Sequence, residues 1–406
     1  MTPTPVPPTP VAPALIAPIP VAPALTPPVA LTGLGLVTAL GSGPDAFWRG
    51  LLDGRRALGP LTRFEGDYRS GVVAEVPFSA CPVPAGRRKA HLASEAARQA
   101  LADAGLDRLP PGSLLVVVSQ APAPPFDSGA AGDDFTGPSP SALLDAIGTP
   151  RRTVTVTHLS HACASAAFGA ALARDWLLAG LGPCALVVGA SALNRYEYAS
   201  MDVVRALSPT GARPLDSERD GVTVGEGGGA FVLESAGHAA ARGRPPKALL
   251  SGAACLVDGE GAAASELRSV RDCMRAALRD AGEPPVDHVQ AHATGTPQGD
   301  GAEVAALGDI AGELGWNGVP VSSHKGSVGH LLHASAFAGV TAAVGFLRER
   351  TVPGTPGLRT PLELPERLVA PVGPLAVPQA RHVLVNSFGF SGNNASLVLS
   401  APAPRP

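Results

Sequence analysis

From Val29 onward, short runs of β-branched and apolar residues give way repeatedly to alanine-rich stretches with helical spacing. That alternation leaves few folds open. It predicts strands at Val29–Leu36, Ser113–Ser119, Thr153–Thr157, Ala185–Gly189, Gly229–Glu234, Leu249–Val257, Val286–Ala291, Val319–Ser322 and His382–Val385. Helices are predicted between them at Lys89–Ala104, Ala164–Ala179, Glu266–Ala281, Ala302–Leu314 and Ala334–Glu349. Strands spaced by helices of this length read as mostly buried sheets covered by helices, an α/β architecture. The Pro- and Arg-containing stretch Ala239–Pro246 is a link between two halves, 29–240 and 241–402. Both halves read as α/β, which permits an internal duplication, although no sequence repeat connects them.

Two segments break the pattern. Residues 1–28 hold eleven prolines and no charge, so they read as an extended, flexible tail. A signal peptide would need a basic start and an uninterrupted apolar run. Ala121–Pro140 is rich in Gly, Pro, Asp and Ser, and a loop of that length inside a compact domain is functional or mobile.

Composition excludes several classes of function. With 45% hydrophobic residues the chain has ample material for a core. A net charge of -3 offers no basic excess to hold a phosphate backbone, so nucleic acid is not expected as a partner. No long apolar run free of breakers occurs, so no membrane span is predicted. Five scattered cysteines do not form a disulfide framework, and a reducing cytoplasm is the expected compartment. Among 31 Lys and Arg residues, lysine occurs only at 89, 247 and 325.

Four motifs carry reactive side chains. In Thr153-Val-Thr-Val-Thr-His158-Leu-Ser-His161-Ala-Cys163 a strand runs through a small-residue turn to a cysteine at a helix start, where amide N–H groups lower a thiol pKa. A buried inert cysteine is the bland alternative. A metal site from His158, His161 and Cys163 lacks a second ligand pair. In His292-Ala-Thr294-Gly-Thr296 a histidine at a strand end precedes two hydroxyls suited to an amide-bearing arm. Asp300 and Glu303 follow at a helix start, which a simple acidic N-terminus would also explain. In Lys325-Gly-Ser-Val-Gly329-His330-Leu-Leu-His333 a rare lysine sits near a histidine, and the zinc reading of His330 and His333 lacks the HExxH pattern. In Asn386-Ser-Phe388-Gly389-Phe390-Ser391-Gly392-Asn393-Asn394 glycines alternate with aromatics, letting backbone N–H groups approach a ligand, or forming a plain hairpin. Gly33-Leu-Gly35 lacks the third glycine of a dinucleotide loop, and Gly225-Glu-Gly-Gly-Gly229 lacks the Lys-Ser/Thr of a P-loop.

Taken in order, and with Thr32-Gly-Leu-Gly35, Arg213-Pro-Leu-Asp216, Arg219-Asp-Gly221 and Gly225-Glu-Gly227, these motifs resemble a β-ketoacyl-acyl carrier protein synthase of the thiolase superfamily, from about Val29 to Ser400. The resemblance implies a thiolase-like fold of two similar α/β halves in αβαβα layers. The first half would carry the nucleophile and the second the His/His/Lys set. It implies that Cys163 takes an acyl chain from a carrier-protein thioester. His292 and His330 would assist malonyl decarboxylation and stabilise the enolate, with Lys325, paired with Glu303, supporting them. The N–H groups of Cys163 and Phe390 would form the oxyanion hole, and Phe390 would gate the second substrate. Thr294 and Thr296 would hold the phosphopantetheine arm, with Phe388 and Asn394 also lining the substrate site.

The implied protein is a stand-alone type II component, a homodimer or a heterodimer with a ketosynthase-like subunit. It would use an acyl carrier protein, need no metal and bind no cofactor beyond the carrier's phosphopantetheine. A specialised polyketide, polyene or fatty-acid-like pathway is expected. Acyl transfer to a non-carbon nucleophile, a non-catalytic partner subunit and a cysteine hydrolase are the competing readings. The sequence departs from the resembled pattern at Ala293, His333 and Ser391, and in a shortened stretch between Ser119 and Thr153.

Overall fold

The computed structural model describes residues 28–121, 136–258 and 266–403. The proline-rich tail lies outside them except for Pro28, as does most of the Ala121–Pro140 stretch.

The first half contributes strands β1 (Val29–Thr38), β2 (Ser113–Val118), β3 (Val154–Leu159), β4 (Cys184–Ser191) and β5 (Gly227–Glu234). They lie side by side in the order β3-β2-β4-β5-β1. The second half contributes β6 (Ala248–Val257), β7 (His288–Gln290), β8 (Val319–Ser322), β9 (His382–Phe388) and β10 (Asn393–Ser400), in the order β8-β7-β9-β10-β6. In each half the first strand pairs antiparallel with the fifth, the fifth antiparallel with the fourth, and the remaining two pairings are parallel. The halves therefore share one topology, and they join where β1 pairs antiparallel with β6.

Helices fill the layers. α2 (Arg88–Ala104) covers the outer face of the first half, and α7 (Leu267–Asp280) with α8 (Pro297–Leu314) covers that of the second. Between the halves lie α4 (Ser165–Leu178) and α10 (Ser335–Glu349), which pack against each other. The sequence of layers is αβαβα. Strand alternation feeds separate cores, as the period of two demands. Leu114, Val116 and Val118 enter the central core with α4 and α10, whereas Leu115 and Val117 enter the outer core under α2. Gly33 and Gly35 have a packing role, since a Cβ at either would strike the backbone of α2.

Most predicted elements stand where the periodicity put them, with differences at the ends. The strand predicted at Val286–Ala291 is only His288–Gln290. The helix expected from Ala302 begins at Pro297, where proline's fixed φ suits a first helical turn. The link at Ala239–Pro246 starts inside a short helix, α6 (Ala236–Ala241). Also present but not predicted are α1 (Pro44–Leu52), α3 (Pro140–Ala146), α5 (Arg195–Val203), α9 (Lys325–Val328) and strand β10. Among the described residues no helix is long and apolar enough to cross a membrane.

Candidate active site

Shared topology places equivalent loops of the two halves at one end of the layers. The β3–α4 loop carries Cys163 and the β8–α10 region carries Lys325 and His330, so both converge on the N-termini of the two central helices. The β7–α8 loop brings His292, and the β9–β10 connection brings Phe390.

Cys163 is held by strain and close approach. Ala162 just before it has φ 45°, Leu332, on the wall of the same cavity, has φ 47°, and Ser391, next to the cavity-lining Phe390, has φ 57°. Left-handed backbone in non-glycine residues costs on the order of 1–3 kcal/mol each, so the surrounding packing must over-determine these turns. Gly389 passes so near that a Cβ there would sit 3.0 Å from the Cys163 amide nitrogen. The approach lets the N–H groups of Cys163 and Phe390 donate to the sulfur. Ser387 Oγ donates to the Cys163 carbonyl at 3.0 Å, tying β9 to the nucleophile loop.

The expectation of a lowered thiol pKa is corrected. Burial pushes the Cys163 thiol up to about 11, outweighing the positive charge of Lys325 and the two amide donors. The resting group is a neutral thiol. The alternative metal cluster does not form either. His158 Nε2 engages Ser119 Oγ at 2.6 Å, while His161 Nδ1 contacts Asn393 Oδ1 at 3.1 Å and its ring stacks on Phe168. Among the described residues no group of three or more His, Cys, Asp or Glu side chains is arranged to hold a metal ion.

The two site histidines meet edge to face, their ring centroids 5.4 Å apart. Ser335 Oγ accepts from Leu331 N–H at 3.1 Å and lies 2.7 Å from His330 Nδ1. The contact holds the ring by Nδ1 and turns Nε2 toward the site. Among the described residues His330 Nε2 has no hydrogen-bond partner, which leaves it free to meet a ligand. Burial first, then the charge of Lys325, holds the pKa of His292 and His330 well below the usual histidine range. Both rings are neutral at pH 7.

Lys325 is buried, and burial lowers its pKa to about 8 against the opposing pull of Glu303, Cys163 and Asp300. Its Nζ donates to the His292 carbonyl. The expected Lys325–Glu303 pairing is therefore one of charge rather than contact. Glu303 instead accepts from the N–H groups of His292 (2.9 Å) and Ala293 (2.8 Å) and from Asn386 Nδ2 (2.9 Å). Those donors fix the strand end that presents His292. Asp300, which the sequence offered only as part of an acidic helix start, accepts from the N–H groups of Thr294, Gly295 and Leu215. The Leu215 contact brings the first half's segment around 213–225 against the second half's loops. The same segment holds His330, whose N–H donates to the Thr223 carbonyl at 2.7 Å and whose carbonyl accepts from Gly225 N–H at 2.9 Å.

The remaining expectations divide. Thr294 and Thr296 lie beside His292 with their hydroxyls 3.1 Å apart. The ring centroid of Phe388 lies 5.8 Å from that of His292, so Phe388 braces the imidazole from below the loop. Asn394 is corrected: it is fully buried on β10 with its amide donating to Ser269 Oγ at 2.8 Å, a core contact made with α7 rather than a cavity wall. Beside Cys163 opens a cavity of about 80 Å³, walled by Tyr196, Glu197, Met201, Leu332, His333 and Phe390. Sequence reading missed Tyr196, Glu197 and Met201, which stand on the unpredicted helix α5.

Comparisons with known proteins agree with this geometry. Residues 155–239 match the family described as beta-ketoacyl synthase, N-terminal domain, and residues 247–359 match beta-ketoacyl synthase, C-terminal domain. Nodulation protein E of Rhizobium meliloti is 31% identical over 401 residues, spanning 91% of this chain and 98% of that protein. The 3-oxoacyl-(acyl-carrier-protein) synthase 2 of Synechocystis is 30% identical over 417 residues, spanning 91% of this chain and 97% of that one. Among solved structures, the ishigamide ketosynthase/chain length factor superposes with a TM-score of 0.82 at 28% identity, covering 93% of this chain and 99% of that one. A beta-ketoacyl synthase from Burkholderia phymatum gives a TM-score of 0.77 at 26% identity, covering 92% of this chain and 99% of that one.

Proposed function

This chain belongs to the β-ketoacyl synthase family, and from that membership and its site we propose that it performs decarboxylative Claisen condensation on acyl groups carried as thioesters. The observation that carries the reading is convergence. Cys163 from one half meets His292, His330 and Lys325 from the other around one buried site.

In the first step Cys163 sulfur attacks the thioester carbonyl. A C–S bond forms to Cys163, the bond to the carrier sulfur breaks, and the Cys163 proton ends on the departing carrier thiol. The N–H groups of Cys163 and Phe390 already point at the sulfur, so they stand ready to receive the carbonyl oxygen as charge develops on it. In the second step a malonyl thioester loses carbon dioxide, and the electron pair left behind is held as an enolate. His330 Nε2, the neutral His292 ring and the Lys325 cation stabilise that oxygen. The enolate carbon then attacks the acyl-Cys163 carbonyl, the C–S bond breaks, and the released thiolate takes up one proton from solvent.

The hydroxyls of Thr294 and Thr296 suit the amides of a phosphopantetheine arm, and the donor of both acyl groups is a separate acyl carrier protein. The assembly is a dimer with a second copy or with a ketosynthase-like subunit, and the compartment is the cytoplasm. A specialised polyketide or fatty-acid-like pathway fits the departures at Ala293, His333 and Ser391.

Intact-mass measurement after incubation with an acyl-carrier thioester tests the proposal. Acyl mass on Cys163, followed by a β-ketoacyl product on adding malonyl-carrier protein, is the expected result. Acylation with no loss of carbon dioxide would move the reading to acyl transfer onto another nucleophile. No acylation at all would move it to a partner-subunit role.

A further inference from the structure

The Phe390 N–H donates to the Cys163 sulfur from a strained turn, residues 389–393. At its tip Ser391 has φ 57° and Gly392 φ 66°. Left-handed backbone at a serine costs free energy, so the turn keeps this shape only where its ends are held. Ser387 holds the entry, its Oγ donating to the Cys163 carbonyl at 3.0 Å. The exit is Asn393, which heads β10 opposite Val257 of β6. Its carbonyl accepts from Gly389 N–H at 2.7 Å and closes the turn. Its side chain works in two directions. Nδ2 donates to the Phe390 carbonyl at 2.8 Å, and because a carbonyl only accepts, that bond fixes which end of the amide is nitrogen. Oδ1 is therefore the atom that faces His161 Nδ1 at 3.1 Å. An amide oxygen also only accepts, so His161 Nδ1 carries a hydrogen and donates it.

His161 is the fixed member of this pair. Its ring stacks on Phe168 of α4, the centroids 4.0 Å apart and the planes within 9°. Its N–H donates to Ser165 Oγ at 2.8 Å, and that hydroxyl donates to the Ala162 carbonyl at 2.7 Å. The ring thus stands on the loop that presents Cys163, two residues before the nucleophile. Its bond to Asn393 joins residues 232 positions apart and links the two halves. Phe390 is in this way flanked by two ties to the nucleophile loop, one before it at Ser387 and one after it at Asn393.

We infer that His161 is a positioning residue: through Asn393 it clamps the 389–393 turn so that the Phe390 N–H is held at the atoms reacting on Cys163. The inference rests on the acyl-Cys163 reading and adds to it a residue that acts only through another. The imidazole that the sequence offered as a metal ligand is a strut between the two halves.

Three substitutions in the full-length protein separate the donor from the ring. His161→Phe keeps a flat ring against Phe168 and removes the N–H, His161→Asn puts an amide N–H near the place of Nδ1, and Asn393→Ala removes the other partner. Loading of Cys163 is timed by intact mass against concentration, using the fastest member of an acetyl-to-octanoyl series of carrier-protein thioesters. Hydrogen exchange is followed in the peptide spanning 387–394. A displacement of 1 Å at a reacting centre can cost about a hundredfold, so the smaller shift expected in His161→Phe should lower the maximal loading rate about tenfold. The half-saturating concentration should stay within about twofold of wild type, because the thioester contacts themselves are untouched. Exchange across the turn should quicken about tenfold in the same variant, and His161→Asn should bring both readouts back to within about threefold of wild type. His161→Phe combined with Asn393→Ala should load no more slowly than Asn393→Ala alone, since both remove one bond. Wild-type exchange in His161→Phe would overturn the clamp. Faster exchange with an unchanged maximal rate would overturn its role in positioning Phe390, as would a His161→Asn variant no faster than His161→Phe. If the wild type loads no thioester, the acyl-Cys163 reading falls and the loading role with it, while the exchange comparison still decides whether His161 holds the turn.

Discussion

The two halves of this molecule have the same strand order, the same pattern of parallel and antiparallel pairs, and a central helix at the same place, yet opposite chemical content. The β3–α4 loop of the first half gives the sulfur and the Cys163 amide donor, and the second amide donor, that of Phe390, comes across from the β9–β10 connection of the second half. The equivalent region of the second half gives a cation and an imidazole, with a second imidazole from the neighbouring β7–α8 loop. Duplicated scaffolding makes the convergence geometric: equivalent central helices, packed together, bring equivalent loops face to face. What differs is burial of imidazole. Among the described residues the four buried histidines (288, 324, 330 and 333), together with the half-buried His292, belong to the second half, as does the buried Lys325. One half forms the covalent bond, and the other handles developing negative charge.

The largest expected effect separates those roles outright. Cys163→Ala should abolish acyl loading and condensation together, as read by intact mass and by product formation. His292→Ala should leave loading of Cys163 within a few-fold of wild type while condensation falls by about a hundred- to a thousandfold, the usual consequence of losing one stabilising donor at a developing oxyanion. If His292→Ala blocked loading as severely as Cys163→Ala, the division of labour between the halves would be wrong.

Much of this arrangement was legible from the sequence, and the illegible parts have a common cause. Val319–Ser322 came out at both of its ends, because a short apolar run bounded by turn residues leaves little choice. Strand β10 was invisible, since Asn393-Asn-Ala-Ser396 has poor strand propensity. It is a strand because β9 and β6 pair with it on both sides. Helix α5 lacks an apolar stripe, yet Asn194 followed three residues later by Glu197 is a capping-box signal that could have located it, and with it Glu197. The thiol pKa was misjudged because the helix-start rule is local, whereas desolvation depends on what the rest of the chain packs over the sulfur. The roles of Asp300 and Asn386 were hidden for the same reason, as each binds groups far away in sequence.

Lys325 sharpens the contrast at a smaller scale. With a pKa of about 8, its cation is present below that pH and lost above it. Condensation should therefore decline as pH rises through about 8, while acyl loading, which depends on the other half, should follow a different profile. Lys325→Met should lower condensation about ten- to a hundredfold, the loss of about 1.5–3 kcal/mol expected for a charge-assisted contact, and should erase the step near pH 8. A step that persists in Lys325→Met would assign the titration to another group.

The smallest effect concerns stability. His288 lies outside the site, with Nε2 2.9 Å from Ser322 Oγ and its ring against Phe346, and burial lowers its pKa to about 3. Its folded pKa lies below the unfolded value, so between about pH 6.5 and 3 the unfolded chain binds a proton that the folded chain refuses. The stability this histidine contributes is fully present above pH 6.5 and falls by roughly 1.4 kcal/mol per pH unit on acidification through that window. His288→Leu should flatten the acid limb of the denaturant-unfolding free energy by up to that slope. It should do so even if the substitution lowers stability at neutral pH by disturbing the contact with Ser322, because the readout is the slope and not the level. Hydrogen exchange at pH 5 adds the regional prediction: protection should fall first around β7 and β8, and last in β2 and β4 of the first half, where no fully buried histidine waits to be charged.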